Sequence, residues 1–278
     1  MRIRALCILI LIFSLSACTP SLEQDTSWTA RLDYENNQIV FPLDEYFFTQ
    51  EESQILHRAN LFTRVDCYRA NGYSDIPYPE YEKPINNLYG AWNISWAQKY
   101  GFSSAPITED SQKFSQVPQA LAEKCAGEDI EITKLLSAST AGTDEGKFIG
   151  ILQRQAANAA ENSSEWAKLR KEQWACLESK NLSPTRDIHS WELKDLYAIQ
   201  AGLDNKSLTK EQAKAEEIRI ATIEAECSES LQFAQKLANL EASYQGPLII
   251  KNQAKLNEIK EYKQSVLVKA KEIISTRQ

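Results

Sequence analysis

The sequence predicts a mainly α fold, in which two half-repeats of disulfide-stapled helices are followed by long C-terminal helices. Three observations indicate this fold: apolar residues recur at helical spacing, helix-capping motifs precede several of these stretches, and the cysteines of the body fall into two pairs of similar spacing. Strand-like alternation does not persist for more than a few residues. A chain of 278 residues is long enough to bury about 70% of its unfolded surface.

Residues 1–17 have the order of a lipoprotein signal peptide. Arg2 and Arg4 precede an apolar run over 5–13, and the motif Leu-Ser-Ala-Cys, which ends at Cys18, closely resembles the bacterial lipobox. In a lipobox the cysteine thiol is diacylglycerylated and the chain is cut just before it, so we expect lipidation of Cys18. The apolar run is about half of the roughly 20 residues that cross a membrane. The alternative is an ordinary cleaved signal in which Cys18 falls at this place by chance.

The charge of the chain excludes one class of partner. There are 31 Lys and Arg against 38 Asp and Glu; removing the two leader arginines leaves 29 against 38, a formal charge of −9. An acidic body repels phosphate polymers and anionic headgroups, so nucleic acid is excluded as a partner. The acyl chains, of the palmitate type, must therefore supply the attachment to the extracytoplasmic face of the cell membrane.

Residues 18–41 are predicted to be a flexible tether. Thr, Ser, Glu, Gln and Asn are frequent in this segment, and it has few runs that look buried. On this interpretation the tether lifts the helical body off the membrane surface.

The first helical half-repeat is predicted over 42–136. Its first helix begins at a capping box formed by Thr49 and Glu52, whose side chains satisfy each other's free amide groups. A loop with three prolines follows. The pattern then predicts a short helix over 93–100, stopped by a glycine, and another over 116–126.

A linker and helix entry is predicted over 137–161, because a run of small and polar residues breaks the helical pattern there. The second half-repeat, with the long C-terminal helices, covers 162–278. It opens with the capping motif NSSE at 162–165, and a third capping motif at 207–212 begins a helical pattern that reaches about Tyr244.

Gly246-Pro247 interrupts this pattern, which then resumes on mostly three-and-four spacing. Either a kink or a tight helical hairpin fits such an interruption. The heptad-like apolar stripes also leave two interpretations open: packing against the chain's own helices, which we favour, or a coiled coil with a partner.

The cysteines predict two disulfides. Of the six, Cys7 leaves with the signal peptide and Cys18 is the predicted lipid site. The remaining four are Cys67, Cys125, Cys176 and Cys227. Three pairings are possible, and the similar separations of 58 and 51 residues favour Cys67 with Cys125 and Cys176 with Cys227. A reactive thiol or a Cys/His metal site is the alternative, but C-x-x-C does not occur.

Catalytic, metal and cofactor motifs are absent from the sequence. It has no EF-hand loop, no HExxH motif and no zinc ligand set, so we assign no catalytic residue, no metal ligand and no cofactor. Carboxylates are plentiful, and a glycosidase needs only two of them at a set separation. However, no spacing in the sequence selects a pair.

Aromatic residues are concentrated over 73–102. Trp92, Trp96 and Tyr100 follow each other at four-residue steps and would share one helix face, where exposed rings could contact a glycan or a protein partner. The alternative is that these rings belong to the core, which is the commoner role of such a stripe.

Several short motifs support a comparison with a known group. They are FPLDEY at 41–46, DCY at 66–68 with NGY at 71–73, AQKYGF at 97–102, WAC at 174–176 and the stretch 221–227. Together with the lipobox, they resemble a group of actinobacterial secreted lipoproteins of unknown function. The resemblance implies four body cysteines, a long C-terminal helical region and a noncatalytic role at the envelope. The chain departs from it at Gly246-Pro247, where a smoother helix is implied.

Two functions are therefore carried forward. The first is a membrane-anchored extracytoplasmic lipoprotein with a noncatalytic binding or structural accessory role, in which an envelope protein is the expected partner. The alternative is a cell-wall hydrolase that uses carboxylates near the aromatic region 73–102.

Overall fold

The computed structural model describes residues 22–78, 87–102, 116–127 and 144–276, so the leader, Cys18 and part of the predicted linker lie outside the described residues. The fold is mainly α, as predicted. The helices are α1 (Gln50–Ala70), α2 (Ile94–Tyr100), α3 (Gln119–Gly127), α4 (Asp144–Glu161), α5 (Ser164–Ser179), α6 (Lys194–Asp204), α7 (Lys210–Leu231) and α8 (Phe233–Ser275). Strands β1 (Arg31–Asp33) and β2 (Gln38–Val40) form an antiparallel hairpin, and a 3₁₀ helix (Pro42–Glu45) follows.

Helix α8 runs the length of the body. It has 43 residues, which corresponds to about 65 Å of helix. Its first third packs against α5 and the β hairpin, its middle third against α4 and the 3₁₀ helix, and its last third against α1. The apolar stripes of the C-terminal region are therefore buried against the chain's own helices, the interpretation that the sequence favoured.

Gly246-Pro247 lies inside α8, so the structure has no hairpin turn there. Proline lacks the N–H group that would bond the carbonyl four residues earlier, that of Ser243. The backbone N–H of Asp25 donates to this free carbonyl instead, at 2.8 Å. The absence of a side chain at Gly246 lets the indole of Trp28 lie against the helix, because an added Cβ would be 2.3 Å from its Cδ1 atom.

The helix break occurs fourteen residues before Gly246, at a position without a sequence signal. Gln232 adopts a left-handed conformation (φ 52°, ψ 36°) and ends α7 just before α8 begins. The expectation of an unbroken helix to Tyr244 is therefore wrong. A non-glycine residue in this conformation costs about 1 kcal/mol, and the nearly complete burial of Phe233 beside it offsets that cost.

The flexible tether predicted over 18–41 is wrong for the residues that the structure describes. From residue 22 onward this segment lies on α8. Leu22 and Trp28 pack in the apolar cluster around the middle third of α8, and Ala30 packs in the cluster around its first third. The backbone N–H of Ala30 also donates to Asn239 Oδ1 at 3.1 Å. Polar composition was misleading because the few apolar side chains are the ones that contact the helix.

The predicted linker over 137–161 is also corrected, since α4 occupies its last eighteen residues. Helix α4 buries one face that includes Ile149, Leu152, Ala156 and Ala160, at spacings of three and four residues. This apolar face was present in the sequence, but the small and polar run before it concealed where the helix begins.

The capping boxes predicted at the starts of α1 and α7 are confirmed. The NSSE motif at 162–165 forms no reciprocal box, because Ser163 alone caps α5 by accepting from the N–H of Trp166 at 3.1 Å. Thr49 Oγ1 accepts from the N–H of Glu52 at 3.1 Å, and Glu52 Oε2 accepts from the N–H of Thr49 at 2.9 Å. Thr209 and Gln212 form the same reciprocal pair at the start of α7. Each box satisfies amide groups that the first helical turn leaves free, which fixes where these helices begin.

A double-mutant cycle tests the contact at Gly246. Gly246→Ala is expected to lower the free energy of unfolding by about 1–3 kcal/mol, because the new methyl group overlaps the Trp28 indole. In a Trp28→Ala background the same change is expected to stabilise by up to about 1 kcal/mol, because alanine favours the helix more than glycine does. Chemical denaturation of all four proteins measures both effects, and the same sign in both backgrounds contradicts the contact.

Candidate ligand-binding pocket

The four predicted disulfide cysteines pair as expected. Cys67 bonds Cys125 and joins α1 to α3, and Cys176 bonds Cys227 and joins α5 to α7. Closing loops of this length stabilises a fold by roughly 4 kcal/mol each on the chain-entropy model. The alternatives of a reactive thiol or a metal site are removed for these cysteines. Cys18, the predicted lipid site, lies outside the described residues.

The predicted aromatic face is only partly formed. Trp92 precedes α2 and is 2% exposed, in the core cluster that also contains Tyr89 and Trp166. It therefore does not share a helix face with the other two rings. Trp96 and Tyr100 do lie on α2, are partly exposed, and have ring centroids 4.6 Å apart. For Trp92 the core interpretation is therefore correct. Trp92 lies outside α2 because the helix is capped by Asn93, the next residue.

A pocket of about 280 Å³ lies between the N-terminal segment and α8. We call it the carboxylate pocket, because two acidic side chains line it together with amides and apolar groups. Its lining residues are Gln38, Ile39, Val40, Phe41, Asp44, Phe48, Thr49, Leu88, Gln153, Glu241 and Gln245. The β hairpin, the 3₁₀ helix, α4 and α8 thus all contribute to one concave site.

Asp44 is positioned by the 3₁₀ helix. Its Oδ2 accepts from the backbone N–H of Phe41 at 2.7 Å, which caps this short helix. Burial raises the pKa of Asp44 to about 6, against the opposing effects of the Phe41 N–H and of the Lys263 ammonium. The other oxygen, Oδ1, has no hydrogen-bond partner among the described residues.

Glu241 reaches the same pocket from α8. Its Oε2 accepts from the hydroxyl of Tyr89 at 2.8 Å, and its Oε1 accepts from Gln245 Nε2 at 3.1 Å. Burial raises the pKa of Glu241 to about 7 despite these two donors, and the negative charges of Asp44 and Glu161 add to the increase. Glu241 therefore keeps its proton to a higher pH than an exposed glutamate does.

Gln245 connects the two acidic groups. While its Nε2 donates to Glu241, its Oε1 accepts from the backbone N–H of Leu43 at 3.0 Å. Leu43 precedes Asp44 on the 3₁₀ helix, so one amide side chain fixes the distance between that helix and α8. Both ends of this amide are used, and the residue is 1% exposed.

Gln38 contributes a donor without a partner. It lines the pocket from β2 and is 8% exposed, and its Nε2 atom has no hydrogen bond within the described part of the chain. Burying an amide donor without a partner costs roughly 1–3 kcal/mol. An acceptor on a bound molecule or an ordered water would satisfy this donor.

Lys263 is the cation whose charge acts on Asp44, and its own hydrogen bonds go to other groups. Its Nζ lies 2.8 Å from Glu52 Oε2 and donates to the backbone carbonyls of Asp44, Glu45 and Phe47 at 3.1, 3.3 and 2.8 Å. Its charge is therefore shared with Glu52, and it does not line the pocket. The carboxylate pocket keeps a negative character.

A third buried carboxyl, Glu224 on α7, lies outside the pocket and has a structural role. Its Oε2 accepts from the N–H of Ala91 at 2.9 Å, and its carboxyl leaves no room for a Cβ at Gly90, where one would be 2.5 Å from Oε1. Burial raises the pKa of Glu224 to about 7, against the charge of Arg170. The Arg170 guanidinium in turn stacks 4.0 Å from the centre of the Trp191 ring. These groups connect α5, α7 and the segment before α2.

The sequence contained one signal for Glu241 that was missed. Its neighbours Leu237 and Leu248, four residues before and seven after, lie on the buried face of α8. An acid at such a register position marks a buried polar group, which in native proteins has partners or a function. Asp44 carried no comparable signal, because an acid in a first helical turn is ordinary.

Comparison with known proteins gives no assignment: no family model, no curated protein and no solved structure matches the chain. Within the ranges that the structure describes, no group of three or more His, Cys, Asp or Glu residues could hold a metal ion. None of the described helices combines the length and apolar character of a membrane span.

The raised pKa values predict that stability falls as the pH rises. Consider a carboxyl whose pKa is higher in the folded protein than in the unfolded chain, where it is about 4. Its contribution to the free energy of unfolding is complete below about pH 4 and is lost as the pH rises through the folded pKa. For Asp44 and Glu241 those folded values are about 6 and about 7. The free energy of unfolding is therefore expected to be lower at pH 8 than at pH 5.

Glu241→Gln isolates the contribution of one group. The amide keeps an acceptor for Tyr89, gives up the acceptor for Gln245 and cannot ionise. The free energy of unfolding of the variant relative to the wild type is therefore expected to rise by about 1–3 kcal/mol between pH 5 and pH 8. Denaturant titrations at the two pH values measure this difference. The exposed Glu258 on α8 supplies the control variant, Glu258→Gln, which should leave the profile unchanged. A relative stability of Glu241→Gln that does not rise from pH 5 to pH 8 contradicts the argument.

Proposed function

We propose that this chain is an exported lipoprotein, anchored by Cys18 at the extracytoplasmic face of the cell membrane, whose helical body has a noncatalytic binding or accessory role in the envelope. The observation that carries the proposal is the pair of disulfides, which joins cysteines 58 and 51 residues apart. Such bonds persist in oxidising compartments and are rare in the cytosol. The leader and the lipobox motif supply the route of export.

The docked N-terminal segment refines where the body would lie. Leu22 packs in the apolar cluster around the middle third of α8. The chain from Cys18 to Leu22 can span at most about 14 Å when fully extended. An acylated Cys18 would therefore hold the body against the membrane surface. In that case an envelope partner must reach it beside the lipid headgroups.

The noncatalytic role is preferred over a hydrolase that acts near residues 73–102. Glu224 and Glu241 are the buried carboxyls that contact the described part of this stretch. Glu224 accepts from the backbone at Ala91, and both oxygens of Glu241 are held by Tyr89 and Gln245. Both carboxyls are therefore tied to groups of the chain itself, which supports a structural or binding role for them.

Acyl labelling tests the proposed anchor. The wild-type chain, expressed in a bacterium with a labelled fatty acid, is expected to carry the label and to sediment with membranes, since two or more acyl chains give stable attachment. Cys18→Ser is expected to lose both the label and the sedimentation.

Cys7→Ser is the matched control, because it changes the other cysteine of the leader. We expect it to be labelled and sedimented like the wild type. Label that remains on the Cys18→Ser protein, or an unlabelled wild type, contradicts the proposal.

A further inference from the structure

We propose that the carboxylate pocket binds a small molecule that carries an ammonium group beside hydroxyl groups, with Asp44 and Glu241 as the counter-ions. This inference gives the proposed binding role a class of ligand, but it does not depend on acylation of Cys18. It is carried by three properties of the pocket: its charge, a donor without a partner, and its apolar walls.

The charge selects a cation. Asp44 and Glu241 line the pocket, and the described lining includes no Lys or Arg. Lys263, behind Asp44, is paired with Glu52 and three carbonyls. The charges that act on Glu241 are those of Asp44 and Glu161, both negative. A ligand ammonium would relieve this repulsion and donate to Asp44 Oδ1, the oxygen that the chain leaves without a donor.

The buried amide requires an acceptor on the same ligand. Gln38 Nε2 has no partner although the residue is 8% exposed. A simple ammonium ion cannot satisfy it, because an ammonium group only donates. A hydroxyl oxygen can accept from Gln38 and can also donate to a neighbouring oxygen. The amide of Gln153, on α4, lines the same pocket and adds a further polar contact.

The walls and the size limit the ligand to a small molecule. Phe41, Phe48, Ile39 and Leu88 supply apolar surface around the polar groups. A volume of about 280 Å³ lies at the lower end of the range for small-molecule pockets. A single amino sugar ring has the required combination of one ammonium group, several hydroxyls and apolar C–H faces.

Glucosamine and glucose form a matched pair of probes, since they differ in one ammonium group that replaces a hydroxyl. The experiment is isothermal titration of the purified full chain in detergent. At pH 7 we expect glucosamine to bind at least tenfold more tightly than glucose. Lowering the pH to 5 is expected to weaken the binding of glucosamine at least threefold, because the two carboxyl groups are then mostly neutral while the ligand keeps its charge.

Glu241→Gln is the decisive variant, because it removes one negative charge from the pocket with little change in side-chain shape. It should reduce the preference for glucosamine over glucose, because one of the two counter-ions is removed while Asp44 still accepts from the ammonium group. Gln38→Ala should weaken the binding of both sugars. Glu258→Gln, at an exposed position, should change neither affinity.

Three outcomes overturn the proposal. They are equal affinity for glucosamine and glucose, an unchanged preference in the Glu241→Gln protein, and no binding of glucosamine up to millimolar concentrations. Because the measurement does not involve the lipid, its failure leaves the result of the Cys18 labelling as a separate question.

Discussion

The described fold depends on one backbone carbonyl in α8, that of Ser243. Pro247 cannot donate to it, so the helix has an open acceptor at its centre, and the N–H of Asp25 fills it. Gly246 removes the side chain that would block Trp28 from the same place. The proline and the glycine, which look like a helix interruption, instead form a docking point for the N-terminal segment on a continuous helix.

This docking also builds the carboxylate pocket. With residues 22–30 fixed on α8, the β hairpin and the 3₁₀ helix lie against the turn that carries Glu241 and Gln245. Two acidic side chains, far apart in the sequence, then line one concave site. Burial of these acids opposes folding at neutral pH, since both pKa values are raised. The proposed ligand would offset this cost, because its ammonium group would stabilise the ionised carboxylates.

The sequence predicted the parts of this fold that rest on local or covalent chemistry. The capping box at Thr49 joins two residues that are three positions apart, and the cysteine pairing follows from the similar spacing of the two pairs. The helix break at Gln232 could not be predicted, because burial of Phe233, a tertiary effect, offsets a conformation that glutamine does not favour. The tether was mispredicted for the same kind of reason. Its contacts are made with α8, about two hundred residues later. The site was unpredictable because the docking itself brings its residues together.

Hydrogen exchange of the backbone amides in 22–41, followed by mass spectrometry on the full chain, tests the central claim most directly. If this segment is docked on α8, peptides that cover it exchange far more slowly than an unstructured chain, with protection that reflects the hydrogen bond to Ser243 and the β hairpin. Exchange at the rate of an unstructured peptide would show that the segment is a free tether, and the docking point and the pocket would both be contradicted.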